Sequence, residues 1–418
     1  MTKRHLPPSV LGFRCFGCGH EVEKADYVCP SCSGNLDVVY DYEIVKKRLS
    51  RKSLGRDPDP GIWRWRELLP IGKFRGVPLA RVGATPLYKA ERLGRDLGLK
   101  DLWLKDDGRN PSASFKDRAG AVAVAKALEL GERIVTGAST GNAASSMACL
   151  CAGLPLKPII FVPEKAPAAK IAQLLVFGAT VVAVKGTYDQ AFDLCLEATR
   201  EYGWYNRNTG HNPFTREGKK TASFELCEQL GWKVPDLVFV SVGDGNIISG
   251  LWKGFKDLFS TGLIDRLPRM AAVQAEKSDA VKRAFESDGV IRPVSGETLA
   301  DSISVSLPRD GAAAVRALLE SQGFAVSVTD AEILSAMKTT ARREGVFAEP
   351  AGAAPVAGLA KAVSAGLVKT SETVAVFVTG NGLKDTASAL KAAGTPHLIE
   401  PTLSGLRKLM ARHCLAKP

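Results

Sequence analysis

Residues 133–162 read RIVTGASTGNAASSMACLCAGLPLKPIIFV, and this stretch decides the fold class. A short apolar run at 133–135 predicts a strand and leads into a loop of small and polar residues. A helix is predicted from Asn142 to Ala152, and a second, continuous apolar run follows at 158–162. Continuous apolar runs that alternate with helices are typical of parallel sheets whose two faces are both covered. The stretch therefore predicts the α/β class.

The same alternation extends in both directions along the chain. Further strands are predicted at 102–104, 180–184, 237–241 and 374–378. Further helices are predicted at 115–130, 167–177 and 188–202. Pro167 suits the first position of its helix, where the missing N–H would have had no partner. A helix over 42–54, followed by a connector, is predicted ahead of this region.

Composition restricts the class of function. The chain has 418 residues, 45% of them hydrophobic and 24% charged, which suits a globular protein of several domains. No apolar run reaches the ~18–20 residues of a membrane span, and no secretory signal is expected behind the first basic residues. The 56 Lys and Arg exceed the 44 Asp and Glu by 12. They are scattered, which argues against nucleic acid and suits anionic substrates and phosphorylated cofactors.

Four of the nine cysteines form two CxxC pairs, Cys15 with Cys18 and Cys29 with Cys32. Four converging thiolates suit tetrahedral zinc, and they predict a structural site because no coordination position stays open. A redox CxxC is the weaker alternative, since the motif is doubled and precedes the strand–helix pattern. The other five cysteines have no regular spacing. Together with the absence of a signal, this usage fits a protein of the reducing cytoplasm.

Three loops follow predicted strands, at the edge where open α/β sheets bind ligands. The first, 111–118, reads PSASFKDR and places Lys116 at a helix start. The positive field of the helix N-terminus and the nearby Arg118 would disfavour an ammonium and keep the amine reactive. The alternative is a solvated surface lysine.

The second loop, 138–146, reads ASTGNAASS. Its small residues let a planar ligand approach, its helix-start N–H groups can hold a carboxylate, and Asn142 could bond to a phenolic ring oxygen. The alternative is a capped helix start packed by small residues. The third loop, 242–250, reads VGDGNIISG and predicts an anion nest for a phosphate. It matches no ATP or NAD fingerprint, and the alternative is a glycine turn with no ligand.

The three loops together resemble fold-type II pyridoxal-phosphate (PLP) enzymes, and specifically the threonine synthases, from Thr85 to Asp385. The resemblance implies that Lys116 carries PLP as a Schiff base beside Phe115, and that Thr379 meets the pyridine nitrogen. It also implies that Asn142 binds the ring oxygen, that the substrate carboxylate is held by Ser139, Thr140 and Gly141, and that the cofactor phosphate is held by Gly243, Asp244, Gly245 and Asn246. The FAEPAGA segment at 347–353 matches a recurring element of the group.

The resemblance also implies an anion site for the substrate phosphate in the segment NPFTREGKKT at 212–221. On this basis Asn212, Arg216 and Lys220 are expected to bind substrate. The arginine of the family stands where this chain has Thr215, so Arg216 is assigned through a local shift.

The implied reaction converts O-phospho-L-homoserine and water to L-threonine and phosphate. Alternatives are a β-replacement on O-phosphoserine, an ammonia-lyase of hydroxy amino acids, and a non-enzymatic protein that binds PLP or a partner. The implied architecture has a zinc-ribbon-like module (1–40), a connector (41–84), a small α/β domain (127–222) and a large PLP-binding domain (85–126 with 223–418). A homodimer is expected.

Overall fold

The computed structural model of the chain describes residues 6–23, 27–73, 80–166 and 168–413. The N-terminal module is a three-stranded antiparallel sheet, β1 (Val10–Cys15), β2 (Glu21–Val22) and β3 (Leu36–Tyr40), in the order β2-β1-β3. The two CxxC turns lie at the connections between these strands. Phe13 of β1 is buried and meets Phe214 edge-on, with ring centroids 5.9 Å apart, so the module packs directly on the body of the protein.

The connector contains two short helices in place of the single one predicted over 42–54. They are α1 (Tyr42–Arg48) and α2 (Arg51–Leu54), and a 3₁₀ helix follows at Ile62–Leu68. The prediction is wrong at 49–50, because Ser50 is extended and starts a new helix. Its side chain accepts from Ser53 N and the side chain of Ser53 accepts from Ser50 N, which forms a capping box.

The remaining strands build two sheets. They are β4 (Leu87–Lys89), β5 (Asp101–Asp106), β6 (Ile134–Ala138), β7 (Lys157–Pro163), β8 (Thr180–Val184), β9 (Tyr205–Asn206), β10 (Leu237–Ser241), β11 (Arg269–Ala275), β12 (Phe324–Val328) and β13 (Thr373–Val378). The larger sheet has the order β12-β11-β10-β13-β5-β4, and the smaller has β8-β7-β6-β9. All pairs are parallel except β4 with β5. The six predicted strands are confirmed.

Helices cover these sheets. They are α3 (Glu91–Leu97), α4 (Lys116–Glu129), α5 (Asn142–Cys151), α6 (Ala168–Val176), α7 (Tyr188–Tyr202), α8 (Phe214–Lys219), α9 (Thr221–Gln229), α10 (Asn246–Ser260), α11 (Ala280–Phe285), α12 (Gly311–Glu320), α13 (Asp330–Glu344), α14 (Pro350–Ser364), α15 (Thr386–Ala393) and α16 (Leu403–His413). Short 3₁₀ helices occupy Asp107–Arg109, Asp301–Ile303 and Gly382–Lys384. The predicted role of Pro167 falls outside the described residues.

Alternate residues of β10 face two different hydrophobic cores. Val238 and Val240 belong to the core shared with α4, α10 and the N-terminal module, whereas Leu237 and Phe239 belong to the core under α13 and α14. The larger sheet is therefore covered on both faces, as the apolar runs predicted. The smaller sheet lies within the predicted 127–222 domain, and the larger sheet lies within the predicted large domain. The domain boundaries themselves stay an interpretation.

Candidate active site

A cleft of about 750 Å³ opens at the carboxyl ends of β5, β6 and β10. Lys116 reaches it from the start of α4, 138–143 line it from the end of β6, and 241–247 line it from the end of β10. Each of these segments connects a parallel strand to a helix, so the topology brings all three predicted loops to one place. The cleft also receives residues that the sequence did not single out, including Arg207 and Lys219.

The loop that carries Lys116 is fixed to the end of β13. The N–H of Phe115 donates to the carbonyl of Thr379 over 2.8 Å. Within the loop, the buried carboxylate of Asp117 accepts from Ser112 N at 2.6 Å and from Ser112 Oγ at 2.5 Å. These bonds close a turn just before the helix. Lys116 is therefore presented from a rigid support, as a residue that reacts at one position must be.

The amine of Lys116 lies in an electrostatic environment that favours its neutral form. Burial lowers the pKa of Lys116; the carboxylates of Glu349 and Asp244 raise it, and the charge of Arg207 lowers it further. No hydrogen bond or ion pair to another side chain holds its ammonium within the described part of the chain. A recessed lysine with a lowered pKa is a candidate nucleophile or base.

The structure gives Arg118 a role different from the predicted one. Its guanidinium is fully buried and paired with two carboxylates, Asp107 at 2.6 Å and Glu225 at 2.7 Å. These partners neutralise its charge, so Arg118 does not act on the pKa of Lys116. The cation that does so is Arg207. Arg118 instead ties α4 to α9 in the core.

Asn142 begins α5 and faces the cleft with Ser139, Thr140 and Gly141. Its Nδ2 donates to Glu349 Oε1 over 2.6 Å and to Ser302 Oγ over 3.2 Å. Burial raises the pKa of Glu349, and the Lys384 charge and the Asn142 bond oppose that rise. Both amide hydrogens of Asn142 are engaged, so a ring oxygen bound here would replace the weaker bond to Ser302.

The GDGN turn between β10 and α10 is built around Asp310. Asp310 N donates to the carbonyl of Asp244 over 2.8 Å, and Asp310 Oδ2 accepts from Asn246 Nδ2 over 2.7 Å. Gly245 has φ +92°, and a Cβ there would lie 2.7 Å from the carbonyl oxygen of Asp310. A side chain is therefore excluded at Gly245 by both conformation and space. Gly243 and Asn246 also line the cleft.

Thr379 and Phe115 support the site without lining the cleft. The hydroxyl of Thr379 lies 3.4 Å from that of Ser241, which does line the cleft. Phe115 is buried and packs edge-on against Phe377, with ring centroids 6.0 Å apart. The resemblance placed both residues next to the cofactor. In this structure neither residue lines the cleft: Phe115 contacts Phe377, and Thr379 contacts Ser241.

Two cations of the cleft were missed in the sequence. Arg207 is only 3% exposed, and its Nε and Nη2 have no hydrogen-bond partner in the described chain. Burial lowers the pKa of Arg207 to about 10, so it stays charged at neutral pH. Lys219 is fully buried and donates to Asn246 Oδ1. Burial and the charges of Lys116 and Arg207 hold the pKa of Lys219 well below its usual value.

The structure does not bring Arg216 to the cleft. Its Nη2 lies 2.5 Å from Asp310 Oδ1, its Nη1 lies 3.2 Å from Asp37 Oδ1, and its Nε donates to Ser249 Oγ over 3.2 Å. These partners hold its guanidinium on the side of α8 that faces α10 and the N-terminal module. Each nitrogen of the guanidinium therefore already has a partner, and the substrate contact of Arg216 stays a prediction.

Lys220 and Asn212 also lie away from the cleft. Lys220 is fully buried between Glu217 at 2.7 Å and Asp257 at 2.6 Å. Asn212 accepts from Phe214 N over 2.9 Å and thereby fixes the start of α8. Because one residue along a helix turns a side chain by ~100°, Lys219 faces the cleft while its neighbour faces the core. The sequence holds two adjacent lysines, and only the packing distinguishes them.

The four cysteines of the N-terminal module converge, with their sulfur atoms all within 4.8 Å of one another. Gly17 N donates to Cys15 Sγ over 3.3 Å, and Ser31 N donates to Cys29 Sγ over 3.4 Å. A Cβ on Gly34 would lie 3.0 Å from Cys15 Sγ. The sulfurs therefore sit in a glycine-lined cradle with backbone donors, which fits the predicted tetrahedral zinc site.

Among the described helices, none is both long enough and apolar enough to cross a membrane. The fifteen lining residues of an adjoining, smaller cavity include Lys170 and Lys384, and that cavity shares Thr140, Gly141 and Asn142 with the cleft. Lys384 donates to the carbonyl of Ser112 over 2.8 Å and so bonds to the lysine loop.

Comparison with known proteins agrees with this geometry. A family model described as "Pyridoxal-phosphate dependent enzyme" matches residues 79–380. The threonine synthase of Methanocaldococcus jannaschii is 40% identical over 402 residues, which span 95% of this chain and 98% of that protein. The threonine synthase of Halalkalibacterium halodurans is 38% identical over 78% of this chain and 90% of its own length. The processed form of threonine deaminase isoform 2 from Solanum lycopersicum is similar in fold, with a TM-score of 0.64 and 24% identity over 74% of this chain and 83% of that chain.

Proposed function

Because this chain belongs to the pyridoxal-phosphate-dependent enzymes and, within them, to the threonine synthases, we propose that it converts O-phospho-L-homoserine and water to L-threonine and phosphate. The observation that carries the proposal is the arrangement around Lys116. One recessed amine with a lowered pKa faces two helix starts and two buried cations in a single cleft. The amine suits the aldehyde of PLP, and the helix starts and cations suit the phosphate of the cofactor and the anionic groups of the substrate.

The residues present fit PLP. Lys116 supplies the amine that would hold it covalently, and the GDGN turn at the start of α10 offers backbone N–H groups for its phosphate. Asn142 and Thr379 stand at the two loops that the resemblance assigns to the ring oxygen and the ring nitrogen. When bound, PLP supplies an electron sink that stabilises negative charge next to the amino group of the substrate.

The substrate would be held by its two anionic ends. We assign its carboxylate to the start of α5, where Ser139, Thr140 and Gly141 present small side chains to the cleft. The Ser139 N–H already donates to the Phe161 carbonyl and the Gly141 N–H to Ser139 Oγ, so the donors are the N–H of Thr140 and those of the first turn of α5. We assign its phosphate to Arg207, whose Nε and Nη2 have no partner in the described chain although they are buried. Unpaired buried donors are costly, so a site that keeps them is suited to an anion that arrives with the substrate.

Proton transfer is assigned to Lys116. The reaction removes a proton at Cα and one at Cβ and breaks the Cγ–O bond to release phosphate. Protons are then placed at Cγ and at Cα, the hydroxyl of water is added at Cβ, and the remaining proton of water balances the charge of the released phosphate. Lys116 is the amine in the cleft with the lowered pKa and no fixed partner, so it can accept and return these protons. Glu349 and Lys384 are assigned positioning roles. Glu349 accepts from the amide of Asn142, and Lys384 donates to the carbonyl of Ser112 in the loop that carries Lys116.

The decisive experiment combines absorbance with product analysis. The purified protein with PLP should show the absorbance band of a lysine-bound cofactor, near the edge of the visible range. It should also form threonine and phosphate in equal amounts from O-phosphohomoserine. Lys116→Ala should lose both the band and the products, and Lys116→Arg, which keeps the charge but not the primary amine, should lose them too.

O-phosphoserine and L-threonine serve as control substrates. Turnover of O-phosphoserine, or ammonia release from threonine, without threonine formation from O-phosphohomoserine would move the assignment to a β-replacement or ammonia-lyase activity. No band after addition of PLP would contradict the whole proposal. The expected homodimer and cytoplasmic location stay predictions, which sedimentation and cell fractionation address.

A further inference from the structure

Phe16 stands inside the first CxxC turn, between two of the clustered cysteines, and two arginines contact it. The guanidinium carbon of Arg216 lies 4.2 Å from the ring centroid, and that of Arg316 lies 5.3 Å from it. Arg316 Nη2 also donates to the Phe16 carbonyl over 2.9 Å. A cation is attracted to the face of an aromatic ring, so the Phe16 ring ties the position of the first CxxC turn to Arg216.

Asn35 makes a second connection from the same module. It follows Gly34 beside the second thiol turn, and its carbonyl accepts from Phe16 N over 2.9 Å. Its Nδ2 donates to Asp310 Oδ1 over 2.9 Å and to the carbonyl of Arg309 over 2.7 Å. One short segment therefore bonds to the first thiol turn and to the body of the protein.

Both connections meet at Asp310, which organises the GDGN turn. Its Oδ1 accepts from Arg216 and from Asn35, and its Oδ2 accepts from Asn246 Nδ2 and from Ser249 Oγ at 2.7 and 2.8 Å. Its backbone N–H donates to the Asp244 carbonyl. This carboxylate is 2% exposed and all its partners are fixed, so a shift on the Oδ1 side moves the Oδ2 side.

We propose that the N-terminal thiol module positions the cofactor-phosphate turn, with Asn35, Arg216 and Asp310 as positioning residues, so that a metal bound by the four cysteines raises the affinity for PLP. The proposal rests on the proposed function, because it takes the GDGN turn as the phosphate site. The two CxxC turns keep the Phe16 ring and Asn35 in their positions only while the four sulfurs are held together. Loss of the metal frees the turns, so Asp310 then loses its bond from Asn35, and the Phe16 ring no longer holds the guanidinium of Arg216.

The test measures PLP affinity in the full chain. Apoprotein loaded with zinc is titrated with PLP by absorbance, and the ³¹P resonance of the bound phosphate is recorded. Asn35→Ala should weaken PLP binding by about threefold to tenfold and shift the resonance, since each hydrogen bond lost has a modest net worth. Removal of zinc by a chelator should weaken binding in the same direction. Asn35→Ala without zinc should add little to the zinc-free effect.

Two further variants keep the test informative. Arg316→Ala removes an exposed residue on the far side of Phe16 and should give a smaller loss of affinity in the same direction. Arg14→Ala breaks an exposed ion pair with Glu21 in the same module and should leave PLP affinity unchanged. Equal PLP affinity and equal ³¹P shifts in zinc-loaded, zinc-free, Asn35→Ala and Arg316→Ala protein would overturn the coupling. A wild-type protein that binds no PLP would instead contradict the proposed function.

Discussion

Lys116, Arg207 and Lys219 bring three basic side chains to one cleft, against the carboxylates of Asp244 and Glu349. Burial and mutual repulsion lower the pKa values of Lys116 and Lys219, and Arg207 contributes to both shifts. The protonated forms of these amines are therefore unfavourable in an empty cleft and become favourable when phosphates enter it. At the scale of single residues, the site is therefore suited to anionic ligands.

Arg207→Met is expected to lower kcat/KM for O-phosphohomoserine by about 100-fold, since loss of a buried charged contact costs ~2–5 kcal/mol. Most of the change should appear in KM, and Arg207→Lys should give an intermediate loss. Steady-state kinetics measure both. The matched control is Arg200→Met, an exposed residue on α7. Unchanged KM in Arg207→Met would place the substrate phosphate elsewhere.

The pH dependence of cofactor attachment reports the protonation of the Lys116 amine. Only the neutral amine reacts, so the rate of PLP attachment should rise with pH and level off above the pKa of Lys116, which burial holds below its usual value. In Arg207→Met a cation that lowers this pKa is absent, so the midpoint should move to higher pH. Stopped-flow absorbance of apoprotein mixed with PLP gives the profile. A midpoint that moves to lower pH, or does not move, would contradict the assigned electrostatics.

At the scale of elements, α8 and α4 pack through a glycine. A Cβ on Gly218 would lie 1.9 Å from the carbonyl oxygen of Arg118, so the two helices touch backbone to backbone. This close approach sets the rotation of α8, which in turn directs Lys219 to the cleft and Lys220 to the core. Gly218, which lies in the segment 212–221 predicted to bind substrate, therefore has a packing role.

Gly218→Ala should destabilise the protein by at least ~1–3 kcal/mol, because overpacking forces the helices apart. Urea unfolding measures the change. Gly55→Ala is the control, since Gly55 has φ −66° and a Cβ there would have its nearest contact at 3.4 Å. Equal stability of the two variants would mean that α8 can shift without cost. PLP absorbance of Gly218→Ala shows whether the displaced helix still presents Lys219 correctly.

Elements with a local signal were predictable, and the others were not. The strands β5, β6, β7, β8, β10 and β13 have continuous apolar runs and were predicted. β11 reads RMAAVQA, whose alanines favour a helix equally well, and only its pairing with β10 makes it a strand. β9 has two residues and exists because Val135 and Thr136 of β6 are beside it.

At the scale of the whole molecule, a charged layer joins the N-terminal module to the body. Lys253 pairs with Asp37 at 2.7 Å and with Glu217 at 2.6 Å, and Lys220 pairs with Glu217 and Asp257. Burial alone would raise the pKa of Asp37, but the charges of Lys253 and its neighbours hold it below its usual value. The module is therefore attached by compensated buried charges.

Lys220→Met should lower the free energy of unfolding by about 3–5 kcal/mol, because it leaves buried carboxylates without their cation. The double variant Lys220→Met with Glu217→Gln should lose less than the sum of the single variants. Denaturant titrations of the three variants measure this coupling. Folded Lys220→Met should keep the KM for O-phosphohomoserine, and a raised KM would restore the substrate role that the sequence suggested.

The sequence by itself determined the α/β class and predicted the three loops and the lysine that line one cleft, because these depend on local signals. An apolar run followed by small and polar residues and a helix start is recognisable wherever it lies in the chain. The tertiary structure alone decided which cations face the cleft. Arg216 is neutralised by Asp37 and Asp310, which are 179 and 94 positions away, whereas the Nε and Nη2 of Arg207 have no partner among the residues that the structure describes. Charge compensation between distant residues has no local pattern, so only the folded chain could separate the structural arginine from the one with unpaired donors at the cleft.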